Sequence, residues 1–143
     1  MKDRFKYRVW NNKKRKYEED ELDYFICCTP GVVYESHCCV FDDLKEAEEG
    51  HYILEQCTGL KDKNGKLIYE GDIVSKEFTD RPFSSKAKSK TKNCLIYWSN
   101  SRGAFSLKYK IDNYGYYSVY HNNYFGDCEI IGNIHENPEL LED

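Results

Sequence analysis

A chain of 143 residues with 40% hydrophobic content and a mean hydropathy of -0.81 has room for one domain, or for a small barrel with an added subdomain, and contains no run of the roughly 20 apolar residues that cross a bilayer. Aromatic residues nevertheless make up 15% of it, so the thirteen tyrosines are expected to do much of the packing, with rings buried and hydroxyls wet in thin sheets. The net charge of -4 is the sum of alternating blocks: eight Lys or Arg against one acid in residues 1–17, twelve acids against one Lys in 18–55, nine bases against three acids in 75–113, and six acids with no base from 114 onward; such blocks satisfy one another within a fold or between subunits.

Arg4 to Trp10 alternates Phe5, Tyr7 and Val9 with Arg4, Lys6 and Arg8, the period of a half-buried strand, and turns at Asn11-Asn12-Lys13. Leu22 to Cys28 and Val32 to Phe41 are strand candidates joined by the compact turn Thr29-Pro30-Gly31, which makes them a hairpin. Asp42 to Glu49, DDLKEAEE, reads as a two-turn helix capped by Asp42 and stopped by Gly50. His51 to Cys57 returns to strand.

Thr58 to Val74, TGLKDKNGKLIYEGDIV, is the most specific stretch. Asp62-Lys63-Asn64-Gly65 is a turn signal, because Asn64 tolerates a left-handed backbone and Gly65 adopts one freely. Leu67, Ile68, Tyr69, Ile73 and Val74 are strand formers, and Gly71-Asp72 interrupts them where a strand bends or bulges. Asp72 is read as a turn residue rather than a catalytic acid. Ser75 to Asn93, with Pro82, Ser84, Ser85, Ser89 and six Lys or Arg, has no apolar periodicity and is expected to be a long exposed loop.

Strands resume at Cys94 to Trp98, turn at Ser99 to Gly103, and continue through Ala104 to Ile111, the turn Asp112 to Gly115, and Tyr116 to His121. Glu129 to Leu141, EIIGNIHENPELL, opens as a strand with Ile130, Ile131 and Ile134, and Gly132 suggests a bulge or a close backbone approach. It closes as a helical turn, with Asn137 as N-cap, Pro138 at the first helical position and Glu139 at the positive end of the helix dipole; Leu140 and Leu141 are expected to fold back on the barrel.

The opening RFKYRVW, the Thr58–Val74 stretch and the Glu129–Leu141 element, in that order, resemble the YopX-like proteins of phages and prophages. The specific motifs are Gly59, Asp62, Gly65, Tyr69, Gly71 and Asp72 in the first stretch and Gly132, Asn133, Asn137 and Pro138 in the second; the Cys27–Cys39 region and the basic insert before Cys94 depart from the pattern. The resemblance implies a small SH3-like barrel, a mobile-element origin and no catalytic residue. The expected fold is therefore mainly β and antiparallel: an N-terminal β-hairpin subdomain over residues 1–56, and an SH3-like barrel with short helical turns over 57–143 carrying a basic loop at 75–93.

Catalytic chemistry is weakly signalled. The pairs Cys27-Cys28 and Cys38-Cys39 beside His37 invite zinc, but neighbours on a strand point to opposite faces and the spacing is not C-x-x-C, so buried thiols are the simpler reading. His37, His51, His121 and His135 are scattered with no local nucleophile motif, and the pairs Asp42-Asp43 and Glu48-Glu49 read as solvated surface. No phosphate-binding or nucleophile-elbow signature occurs.

The opening Met1-Lys2-Asp3-Arg4 lacks the apolar run of a secretory leader, and an odd count of seven cysteines argues against a complete disulfide framework; a reduced protein of the bacterial cytoplasm is expected. The function expected is a non-catalytic accessory protein of a mobile element, a binding or assembly module with a protein partner or a second copy of itself, without cofactor, metal or membrane. The alternative is sequence-tolerant nucleic-acid binding through Lys76, Arg81, Lys86, Lys88, Lys90, Lys92 and Arg102, with Tyr109, Tyr114, Tyr116, Tyr117, Tyr120 and Tyr124 as stacking rings. A metal-dependent or hydrolytic enzyme is the third reading.

Overall fold

A computed structural model describes residues 6–18, 24–26, 33–35, 45–46, 51–79, 88–111, 115–119, 125 and 127–142, with the backbone alone at 24–26, 33–35, 45–46, 111 and 115–119. The protein is built almost wholly of antiparallel β-sheet, with a single 3-10 turn among the described residues. No described helix is long and apolar enough to cross a membrane. Its internal contacts divide it into two compact units, residues 7–56 and residues 57–143 with 1–6.

In the first unit, β1 (Tyr7–Asn11) pairs with β2 (Lys16–Tyr17) and with residues 52–56 of β6 (Tyr52–Lys61). The turn from β1 to β2 is tied by Asn11, whose buried side-chain oxygen accepts from the N–H groups of Lys13 and Lys14 at 2.9 Å and whose Nδ2 donates to Glu18 at 2.6 Å. The even-numbered face of β1 is not the solvated basic face that alternation predicts. Arg8 lies directly opposite Glu55, which is only 3% exposed, and donates to it at 2.6 Å, while the Tyr17 hydroxyl donates to the same carboxylate and Trp10 packs edge-on against the Tyr17 ring. A buried carboxylate needs such donors, so Arg8 is drawn inward.

Three short strands complete the described part of this unit: β3 (Tyr24–Ile26), β4 (Val33–Glu35) and β5 (Lys45–Glu46). The β3–β4 hairpin has Ile26 opposite Val33. The predicted helix at 42–49 is corrected at its centre, where Lys45 and Glu46 pair with β4 as a strand. Eight residues form few internal helical bonds after the costly first turn, whereas a neighbouring sheet edge offers bonds at once. The rest of that segment, the turn at 29–31, and Cys27, Cys28, His37, Cys38 and Cys39 lie outside the described residues.

The second unit contains the remainder of β6, then β7 (Leu67–Tyr69), β8 (Asp72–Thr79), β9 (Ser89–Ser99), β10 (Ala104–Ile111), β11 (Gly115–Val119), β12 (Glu129–Asn133) and the 3-10 turn Pro138–Leu141. Five strands form one antiparallel sheet in the order β11-β10-β9-β8-β12. Its hydrophobic residues are divided between two faces because neighbours on a strand point opposite ways. Val74, Cys94, Ile96 and Leu107 pack with Ile68, Phe125 and Cys128 on one face, while Ile73 and Leu95 pack with Leu141 on the other. Each fully buried Ile, Val or Leu contributes about 1.5–3 kcal/mol relative to exposure, so the adjacent Ile73-Val74 pair anchors both layers. The back layer exists because the final turn folds Leu141 onto the sheet, where the Asn93 side chain also donates to the Leu140 carbonyl at 2.9 Å.

The largest correction concerns residues 75–93. They are not one long loop: β8 runs to Thr79 and β9 begins at Ser89, in continuous register from Ile73↔Leu95 to Thr79↔Ser89. Only 80–87 lie outside the described residues, Arg81 and Lys86 among them.

Candidate nucleic-acid interface

The outer half of the β8–β9 hairpin is polar, and register divides its side chains by kind. Cross-strand partners share a face. One face carries Lys76 and Phe78 from β8 opposite Lys92 and Lys90 from β9, with Lys88 directly preceding β9; the other carries Ser75, Glu77 and Thr79 opposite Asn93, Thr91 and Ser89. The basic face is the side on which Val74, Cys94 and Ile96 enter the larger core cluster. Exposure rises along it with distance from the core: Lys76 is buried at 3%, Lys92 is half-buried, and Lys90 and Lys88 are exposed.

Phe78 and Tyr109 of β10 sit over this gradient with ring centroids 5.1 Å apart, both half-buried and packed against the core cluster. Phe78 is level with Lys90 and Val74 with Cys94, so Lys92 lies between these registers, opposite Lys76. Two lysines thus stand directly opposite one another, a pairing that is destabilising by itself.

Of the proposed phosphate-binding residues, the structure thus brings Lys76, Lys90 and Lys92 to one face with Lys88 immediately before the strand, and burial withdraws Lys76 from the surface. Arg102 does not join them. It sits in the turn between β9 and β10, and at about 3.3 Å per residue that turn is on the order of 30 Å from Lys90 along the strand. Of the proposed stacking rings Tyr109 is on this face, whereas Tyr114, Tyr120 and Tyr124 lie outside the described residues and Tyr116 and Tyr117 are described by backbone register alone. Phe78 was not anticipated. The signal for this face was a period of two written in charge, Lys88-Ser89-Lys90-Thr91-Lys92-Asn93, rather than in hydrophobicity.

The thiols inside the same cluster are unsuited to nucleophilic work. Burial, and then the neighbouring Cys128, push the Cys94 thiol up to about 12 against a partial opposing effect of Lys76 and Lys92. Burial likewise raises Cys128 to about 11, with Lys76 opposing. Among the described residues no group of three His, Cys, Asp or Glu side chains is placed to hold a metal ion.

The motif residues form a separate corner of the same unit. Asp62 accepts from the N–H groups of Asn64 and Lys66 at 2.9 Å through one carboxylate oxygen and from Ile130 at 3.2 Å through the other. Burial raises its pKa, but these three donors and the nearby Lys66 charge outweigh burial and leave it below the usual carboxylate value. Gly65 takes the left-handed conformation of the turn, at φ 82°, and Asn64 does not.

Gly59, at φ 77°, lies where β6 and β7 lose register, with Thr58 donating to the Ile68 carbonyl at 2.8 Å. The Tyr69 N–H donates to Asp72 at 2.8 Å across Gly71, whose own N–H donates to Ile96 and whose carbonyl accepts from Ile134. β12 shifts register between Ile130 and Gly132, and the Asn133 side-chain oxygen accepts from His135 and Glu136 at 3.0 Å. Pro138 opens the final turn as predicted, but the Asn137 side chain does not cap it. It packs over Gly132 instead, where an added Cβ would fall 2.6 Å from its side-chain oxygen. The described hydrogen bonds of Asp62, Asp72 and Asn133 thus hold turns.

No curated protein matches the chain. A solved structure described as protein EF1440 from Enterococcus faecalis is similar to it at 27% identity and a TM-score of 0.52, over 95% of this chain and 96% of that one. Residues 6–142 match the family model described as YopX protein, and the chain, with its turn-forming corner and two-layered sheet, belongs to that family.

Proposed function

We propose that the protein is a non-catalytic accessory protein of a phage, prophage or related mobile element, working in the bacterial cytoplasm as a binding and assembly module on an SH3-like barrel formed by residues 57–143. The barrel reading is supported by the five-stranded antiparallel sheet with its short closing 3-10 turn. The absence of catalysis is supported by the chemistry of the family motif, whose acids bond backbone N–H groups, and by thiols raised far above neutrality.

The observation that carries the binding reading is the two-sided hairpin, with lysines and an aromatic pair on one face and hydroxyl and amide side chains with a single acid on the other. Pull-down from induced host cells tests it, with a Lys88→Glu/Lys90→Glu double variant in parallel. A binding module loses a reproducible partner in the variant; the same captured set from both proteins defeats the assignment of this face.

A second reading is favoured by the same face: sequence-tolerant binding of nucleic acid, in which lysines neutralise phosphates without reading bases. Fluorescence anisotropy with unrelated oligonucleotide sequences tests it. Binding that is similar across sequences and weakens steeply with salt is expected; no binding at low salt eliminates the reading.

A further inference from the structure

We propose that the basic face of the β8–β9 hairpin is a site for single-stranded rather than duplex nucleic acid, where Phe78 and Tyr109 stack on unpaired bases and Lys88, Lys90 and Lys92 contact successive phosphates. The proposal rests on the nucleic-acid reading above and adds the class of strand and the role of each side chain.

Three observations carry it. Lys90 and Lys92 alternate along β9 and Lys88 precedes them by the same two-residue step, so in extended chain their repeat is on the order of 7 Å, close to the separation of neighbouring phosphates in an extended single strand. The aromatic pair lies beside this ladder: Phe78 is in register with Lys90, and its ring touches that of Tyr109 across β9. Both rings are only half-buried although they pack against the core cluster, so part of each residue stays accessible on the face that carries the lysines.

Bases in a duplex are already stacked on one another and present no faces to such rings, whereas unpaired bases stack on aromatic side chains with little regard to sequence. Lys76, buried opposite Lys92, does not reach the ligand. Arg102 is too far along β9 to take part.

The test uses the full chain, a labelled oligo-dT of about twelve nucleotides and a duplex of equal length, titrated by anisotropy. Three phosphate contacts give a log–log salt slope of about -2 for a single strand, or about twentyfold weaker binding between about 50 and 200 mM salt. Lys90→Gln is expected to flatten that slope by about 0.7. Phe78→Leu, which keeps an apolar side chain in the core and whose folding is checked by thermal melting, is expected to weaken oligo-dT binding roughly tenfold and leave duplex binding unchanged; Phe78→Tyr is expected to restore it. Equal affinity for duplex and oligo-dT, with Phe78→Leu binding as wild type, overturns the proposal and leaves the nucleic-acid reading standing. Failure to bind either at low salt overturns both.

Discussion

The Asp62 corner and the outer half of the β8–β9 hairpin belong to the same unit and are rich in polar residues, yet they use polarity in opposite directions. In the corner, one carboxylate accepts three backbone N–H groups, and Asp72 and Asn133 do similar work for neighbouring turns. In the hairpin, lysines spread along a strand with increasing exposure, and two stand in repulsive register. The two regions differ in the destination of their hydrogen bonds rather than in their number of polar residues.

The comparison breaks most readily at Asp62. Asp62→Ala leaves three N–H groups without their acceptor and is expected to lower stability by about 3 kcal/mol, measured by urea denaturation; a loss below about 1 kcal/mol would show that water replaces the carboxylate at little cost. Gly132→Ala tests the packing beside it. The added Cβ meets the Asn137 side chain at 2.6 Å, and a loss of about 1–2 kcal/mol is expected, with Gly132→Ala/Asn137→Gly recovering most of it.

Acid sharpens the same contrast. Because the folded Asp62 carboxyl titrates below its unfolded value of about 3.9, its contribution is fully present above that value and is lost as pH falls through the lower folded pKa. Asp62→Asn, which does not titrate, is expected to show a shallower fall in melting temperature over that interval; an unchanged acid profile would assign the sensitivity elsewhere. At the other extreme, Lys90→Glu is expected to change stability by less than about 0.5 kcal/mol while weakening contact with an anionic ligand. Stability loss comparable to that of Gly132→Ala would make the lysine part of the scaffold.

What could be read from the sequence was the chemistry that acts within a few residues. The turn at Asp62–Gly65, the Gly71-Asp72 kink, the irregularity at Gly132 and the helical turn opened by Pro138 each follow from backbone preferences of the residues themselves. Partners distant in sequence were hidden. Nothing near Arg8 announces Glu55, and nothing near Asp62 announces the N–H of Ile130.

The hairpin carries no apolar alternation, because the two faces of its outer half are lysine and hydroxyl, and so it does not show in the hydrophobic pattern. A related effect acts at Asn137, a residue suited to capping that serves instead as a lid on a glycine bulge. In both cases a local preference was overruled by what the residue meets across the sheet.

The third donor of Asp62 bears on the order of assembly. Asn64 and Lys66 lie two and four residues away, so the turn can form as soon as that segment leaves the ribosome, whereas Ile130 arrives 68 residues later. Synthesis from the N-terminus leaves the second carboxylate oxygen without this donor until β12 docks beside β8. Asp62 therefore acts as a latch that the last strand closes, tying completion of the sheet to a turn laid down much earlier.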